Sequence, residues 1–320
     1  MSKRDILKKR SDLMQLIRAF FYARDVIEVD TPQLSQAATP DVHLHSLSTS
    51  VQVPGQAEKQ RYYLHTSPEY PMKRLLCEGS GDIFYLGKVF RDDDLSPRHQ
   101  VEFTMLEWYR LGFDMQNLID EVVELVNSIL ANSRPVEQLS FQQAFQKYAG
   151  IEDVFSTSAA DLQACLKQNQ IAEIVGVDTK DKELWQQLVL TEVIEPQLGK
   201  EKITVITHFP AKDAALARIS EQDSRTAQRF EVFVDAMELA NGYYELADAE
   251  LYQQRFTESL QQRVEYGLPN VPLDKNLIET LKAAPLPDCS GVALGVDRLF
   301  MLQQGLLNIE DAVSIPTQQA

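Results

Sequence analysis

The sequence predicts an α+β domain, an antiparallel β-sheet flanked by helices. Two observations point there: strands arrive in tight hairpins, over 83–109 and 230–246, and amphipathic helical stretches lie on either side of them. Ile6 to Ala23 sets Leu13, Met14, Ile17, Phe20 and Phe21 at helical spacing, a stripe suited to a core or an interface. A short strand over Val26 to Val29 ends at Asp30-Thr31-Pro32, because proline cannot donate to a strand ladder. Residues 40–65 read as further strands around a Pro54-Gly55 turn. Ser67-Pro68-Glu69 opens a helix, with Ser67 as cap and Pro68 in the first turn. Residues 114–131 and 159–195 are mostly helical. After the second hairpin a helix runs to about Tyr266, and a proline-rich loop around a short helix fills 267–288. Ser290 to Val296 is a strand that enters a helix capped by Asp297.

Composition narrows the function classes. With 31 Lys+Arg against 47 Asp+Glu the net charge is -16, which argues against affinity resting on nucleic-acid phosphates. The 3 cysteines, Cys77, Cys165 and Cys289, follow neither zinc-site nor disulfide spacing, so a reducing compartment is expected. No apolar run is long enough for a membrane span or a signal peptide, and the expectation is a cytoplasmic protein with no membrane partner.

The chemistry concentrates in three places. Phe90-Arg91 through His99 to Phe103 reads as two strands joined by a charged loop, able to hold a triphosphate while an aromatic ring faces a base. On the second strand Phe103, Met105, Glu107 and Tyr109 share one face, and Phe103 lies roughly 13 Å from Glu107. That is about the span from an adenine ring to the far end of an activated six-carbon amino acid. Glu107 with Tyr109 suits a side-chain ammonium, although alone Glu107 is more simply a solvated glutamate. In the second hairpin, an Asp235-Ala236 turn sets Val234 opposite Met237 and Phe233 opposite Glu238. Glu231 then shares a face with Glu238, as two unpaired carboxylates for a bridging Mg²⁺ or as edge-strand charge. Asn241-Gly242 is expected to break the register, and periodicity leaves open whether Asn241 and Glu245 face the site. Gly291-Val292-Ala293-Leu294-Gly295 is a close-packed strand, and Arg298 then adds charge beside helix N-terminal amides. Gly81 to Lys88 is not a P-loop, since its glycines are wrongly spaced and Val89 replaces Ser/Thr. His43 and His45 lack a third metal ligand nearby, and Cys289 reads as a packed small residue.

In this order, the three segments resemble the motifs of class II aminoacyl-tRNA synthetases. The first helix and Asp30-Thr31-Pro32 resemble the first motif, at a dimer interface. Glu102 to Tyr109 and Glu238 to Leu246 are most similar to the lysyl enzymes, and more narrowly to truncated lysyl-type paralogues that act on elongation factor P. The resemblance implies one catalytic domain over 1–320, with 1–35 at the interface of a homodimer and 114–195 as a helical segment. It implies ATP and Mg²⁺, lysine or β-lysine as the acid, elongation factor P as acceptor, and no anticodon recognition, because few residues precede the first helix. Arg91 and Arg298 are then the catalytic arginines, on the α-phosphate and near the γ-phosphate. Asp93, Arg98, His99, Leu239 and Gly295 join the ATP site, Phe103 stacks on adenine, and Glu231 and Glu238 hold metal. Ser67, Glu69, Glu107, Tyr109, Asn241, Glu245 and Ala293 line the amino-acid pocket. Two departures stand out: Ala293 replaces a glycine of the lysyl enzymes and is expected to favour β-lysine, and Asp93 replaces the usual glutamate. A stand-alone ligase acting on RNA or a small amine, and a non-catalytic amino-acid-binding paralogue, are the alternatives.

Overall fold

A computed structural model describes residues 2–92, 95–130, 132–171 and 178–320. Asp93 lies outside the described residues. In chain order the strands are β1 (Ile27–Glu28), β2 (Leu34–Ser35), β3 (Ser48–Val51), β4 (Gln60–Leu64), β5 (Ile83–Phe90), β6 (Glu102–Leu111), β7 (Val136–Ser140), β8 (Ile203–Thr207), β9 (Arg229–Val234), β10 (Met237–Tyr244) and β11 (Cys289–Gly295). The α-helices are α1 (Lys3–Tyr22), α2 (Glu69–Cys77), α3 (Met115–Ile129), α4 (Phe141–Ala144), α5 (Ala159–Gln168), α6 (Lys182–Val189), α7 (Ala249–Glu265), α8 (Lys275–Ala283), α9 (Val296–Gln304) and α10 (Ile309–Ala312). Helices α4 and α6 each run on into a π-helical turn, over Phe145–Ala149 and Leu190–Ile194.

Among the described residues, eight strands form one sheet in the order β1-β5-β6-β11-β10-β9-β8-β7. The centre is antiparallel, as expected, and the two outer pairings, β1 with β5 and β7 with β8, are parallel. The predicted 40–65 strands pair apart from it, in a small sheet of order β2-β4-β3. His43 and His45 precede β3 in a loop, and no metal-holding group of three side chains occurs among the described residues.

The two faces of the large sheet are covered differently. On the back, Ile6, Leu13, Ile17 and Phe21 of α1 join α3, α9 and the inward residues Leu106, Trp108, Phe230, Val232, Val292 and Leu294 in one core. Apolar burial of this extent is the main stabilising term. On the front, two separate cores cover the ends. One packs α2, α7 and α8 over Ile83, Tyr85, Met105 and Tyr109; the other packs α4, α5, α6 and the π-helical turns that follow α4 and α6 over Ile206 and Phe233. The strip between them, over β6, β11, β10 and β9, carries half-buried Phe103, Ala293, Gly295 and Asn241. That trough is the site.

Three local expectations are corrected. Pro68, not Ser67, occupies the α2 cap position, while the Ser67 hydroxyl still accepts from the Glu69 N–H at 3.0 Å. Asp297 does not cap α9, which starts from Gly295 without a side-chain cap. Instead one Asp297 oxygen accepts from the Thr104 N–H at 2.8 Å and the other pairs with Arg10 of α1 at 2.5 Å, tying three elements together in the core. The register of β10 does not break at Asn241-Gly242. The extra residue is Leu239, between Glu238 and Ala240.

Candidate active site

The β5–β6 hairpin pairs as expected, from Ile83 opposite Tyr109 to Phe90 opposite Glu102. The second hairpin turns at Asp235-Ala236, both at positive φ (50° and 57°), the signature of a type I′ turn. Arg134 holds Asp235 there through two hydrogen bonds of 2.8 Å. The bulge at Leu239 then decides which side chains face the trough. Glu238 stands opposite Phe233, yet beyond the bulge Asn241 stands opposite Glu231. Without the extra residue Ala240 would occupy that place. One inserted residue turns both Glu238 and Asn241 to the front, a common use of bulges beside sites.

Register now aligns the site across the sheet. Tyr85, Glu107, Ala293, Asn241 and Glu231 are successive partners on β5, β6, β11, β10 and β9. Directly paired residues share a face, so Glu107 and Glu231 bound a floor roughly 14 Å wide, three strand spacings, with Ala293 and Asn241 between. In the next row Tyr109 pairs with Gly291, where an added Cβ would lie 2.3 Å from the Tyr109 ring and 2.6 Å from Glu245 Oε1. Glycine is required there by close approach.

The Glu107 end of the trough is buried and acidic. Glu107 is 2% exposed, so it is not a solvated strand glutamate. Tyr109 donates to its Oε1 at 2.8 Å and Ser67 donates to its Oε2 at 2.6 Å. Burial, with Glu69 nearby, pushes the Glu107 carboxyl up to about 8. Lys73 of α2, fully buried, lies between Glu69 Oε1 at 2.6 Å and Glu245 Oε2 at 2.7 Å. Burial raises Glu245 to about 7 even against the attraction of Lys73. Sequence reading missed Lys73, since a lysine in an amphipathic helix reads as a surface residue.

The far end is open and mixed in charge. Arg298 donates to the Glu238 carbonyl at 2.8 Å and to His99 Nε2 at 2.6 Å. Arginine has no acceptor, so His99 Nε2 must accept; the ring proton then sits on Nδ1 and is donated to the Ser96 hydroxyl at 2.7 Å. Arg98 donates to the Ala236 carbonyl at 2.7 Å, which docks the hairpin loop on the Asp235-Ala236 turn. The Arg91 guanidinium lies 5.2 Å from the centroid of the Phe103 ring. The motifs separated in sequence thus converge at one end of the trough.

Two expectations about this end change. Glu231 is not unpaired: Arg229, which sequence reading also missed, donates to its Oε1 at 2.6 Å and to Asn241 Oδ1 at 3.3 Å. Leu239 points into the back core at 3% exposure, on the opposite face from its neighbour Glu238, so its side chain does not line the trough. Glu195 is a further carboxyl near this group. Burial and the charge of Glu238 raise it to about 7. Burial, only partly offset by Arg229, and then Glu238 hold Glu231 up near 8. A cation would relieve that repulsion. Glu231 and Glu238 fit Mg²⁺, which is commonly held by one or two carboxylates together with substrate phosphates.

An antiparallel sheet presenting an arginine-bearing hairpin, a carboxylate hairpin and a glycine-rich strand before Arg298 defines a class II synthetase catalytic fold. A family model described as tRNA synthetases class II (D, K and N) matches residues 1–319, and the chain belongs to that family. Among curated proteins it is similar to the elongation factor P–(R)-β-lysine ligases of Salmonella paratyphi B, Salmonella schwarzengrund and Salmonella choleraesuis. Each is 46% identical over 314 residues, which cover 98% of this chain and 95% of the relative.

Proposed function

We propose that this chain is an ATP-dependent ligase that activates (R)-β-lysine as its adenylate and transfers it to a lysine ε-amine of elongation factor P. The observation that carries the reading is the front of the sheet, where the buried carboxylate of Glu107 stands four residues along β6 from Phe103, and the Arg98/His99/Arg298 cluster lies on the Phe103 side of the Glu107–Ala293–Asn241–Glu231 row. A substrate joined to a nucleotide through its carboxyl group fits along β6, from Glu107 toward Phe103.

In the first step a carboxylate oxygen of the amino acid attacks the α-phosphorus. The bond to pyrophosphate breaks, leaving a mixed anhydride. Positioning and charge stabilisation do most of this work. Arg91 faces the developing negative charge and Phe103 offers its face to adenine. Arg298 and Arg98, with His99, hold the leaving pyrophosphate. Glu231 and Glu238 would hold Mg²⁺, which supplies charge neutralisation on the phosphates when bound. Glu107, supported by Tyr109 and Ser67, takes the side-chain ammonium, while Glu69 and Glu245 face the second amine. In the second step the neutral acceptor amine attacks the acyl carbon and AMP leaves. That amine has an ordinary pKa of about 10.4 and must lose its proton first.

Ala293 stands between Glu107 and Asn241, so its methyl group narrows the carboxyl end of the pocket. The reading gives this methyl the choice of isomer: β-lysine carries its amine one carbon further along. Ala293→Gly is expected to shift preference toward α-lysine, and an unchanged ratio of kcat/KM values contradicts it. Exposed Leu7, Leu16 and Tyr22 on α1 and Ile27 on β1 fit a homodimer through this surface, with residues 1–320 working as one catalytic unit. The decisive test is transfer: with ATP and labelled β-lysine, label is expected on elongation factor P. Label on RNA instead contradicts the assignment.

A further inference from the structure

Lys73 has no part in the chemistry above, yet it is the most enclosed charged side chain of the pocket, at 0% exposure. A buried ammonium is costly to keep unless it is paired. Here two carboxylates pair it, Glu69 from its own helix and Glu245 from the end of β10, each through one oxygen. The second Glu245 oxygen lies over Gly291 beside Tyr109, on the floor where the amino acid is placed. Glu107 is held on the other side by Ser67, whose hydroxyl also accepts from the Glu69 N–H. The three carboxylates therefore form one linked set in which Lys73 takes half the bonding capacity of two.

We infer that Lys73 is a positioning residue of the amino-acid pocket: it clamps one oxygen each of Glu69 and Glu245 and leaves the opposite oxygens for a substrate ammonium. Three carboxylates less one fixed ammonium leave a formal charge of -2, which matches an acid bearing two amines. A neutral side chain at 73 would leave buried Glu245 and half-buried Glu69 to repel each other without a counter-ion. A substrate with one amine would leave one carboxylate unpartnered.

The neighbours support this assignment of charge. Burial pulls the Lys73 ammonium down, but Glu245 and Glu69 outweigh it, so it stays charged. Tyr70 of α2, Tyr109 of β6, Tyr252 of α7 and Cys289 of β11 are all raised by burial and stay neutral. Arg218 reaches Glu245 from outside, donating to its backbone carbonyl at 2.6 Å while its guanidinium pairs with Asp288.

The inference rests on the proposed function, and one assay separates the two. ATP–pyrophosphate exchange is measured across pH 6 to 9 with β-lysine and with a mono-amino analogue, for the parent, Lys73→Met and Lys73→Gln. Lys73→Gln keeps a hydrogen-bond donor without the charge, and it serves if Lys73→Met does not fold. The expected result is a KM for β-lysine raised about tenfold or more, with the KM for ATP and the saturated rate little changed. The pH at which β-lysine affinity reaches half its plateau should rise by about one unit, because Glu245 loses its counter-ion. Discrimination against the mono-amino analogue should narrow. A variant that only loses thermal stability, with the parent's KM values, analogue discrimination and pH profile, overturns the inference and leaves the functional reading intact. No exchange in the parent overturns the functional reading, and the inference with it.

Discussion

The two ends of the trough are built on opposite physical plans. At the Glu107 end, Glu107, Glu245 and Lys73 are at most 2% exposed and hydrogen-bonded from several elements. At the other end Arg98 and His99 stand exposed on a loop, and Arg298 reaches them across a spacing of 199 to 200 residues. Burial makes the amino-acid end selective. Its carboxylates are already desolvated and held, and each strongly prefers a cation to an empty site. Exposure suits the nucleotide end, where a multiply charged phosphate chain must enter, pyrophosphate must leave, and the arginines lose little by waiting in water.

The comparison can be broken by mutation, and the largest effect is expected at the open end. Arg298→Ala should lower the exchange rate at saturating substrates by about 10²- to 10³-fold, since it removes a charge that acts on the leaving group. The KM for β-lysine should hardly move. Glu107→Gln is the converse case. It keeps the shape of the buried site but removes the charge that binds an ammonium, so the KM for β-lysine should rise about 10- to 100-fold with the KM for ATP unchanged. If either variant alters both KM values equally, the ends do not work separately.

A pH series sharpens the same contrast. Burial holds Glu107 at about 8 and Glu245 at about 7, so both carry protons below those values in the empty enzyme. A cationic substrate binds the ionised forms. The KM for β-lysine should therefore fall as pH rises from 6 to 8 and flatten above. Stability has the opposite sign. These carboxyls ionise near 4.5 in the unfolded chain and higher in the folded one, so between those values the folded state binds more protons. The melting temperature of the unliganded protein should fall from pH 5 to pH 8, and β-lysine should restore part of it. A melting temperature that rises steadily over that range contradicts the buried-carboxylate account.

The smallest effect on the comparison is expected from the back of the sheet. Arg10→Met leaves Asp297 buried without its ion pair and should lower stability by about 3 kcal/mol, measured by chemical denaturation. KM values for both substrates should stay close to the parent's.

Much of this was legible from residue order. Both catalytic hairpins, the Asp235-Ala236 turn and the shared face of Phe103 to Tyr109 follow from period-two patterning, and the structure keeps that registration. What escaped reading has a common cause: it depends on contacts between distant segments. Lys73 looks like any lysine of an amphipathic helix until Glu245 is placed beside it. Arg229 looks like a strand terminus until the fold sets it against Glu231 and Asn241. Asp297 sits where a helix cap is expected, and only the approach of Arg10 and Thr104 gives it another partner. The bulge at Leu239 leaves no mark in the hydrophobic pattern, yet it decides that Asn241, and not Ala240, joins the floor.

The central claim is that the front of the sheet carries nucleotide and amino acid end to end, along β6 from Phe103 to Glu107. A crystal structure with a nonhydrolysable β-lysyl-adenylate analogue tests it most directly. The account predicts adenine against Phe103, the phosphorus beside Arg91 and the terminal ammonium at Glu107. An analogue bound away from Phe103 and Glu107, or reversed so that its ammonium faces Arg298, would contradict it.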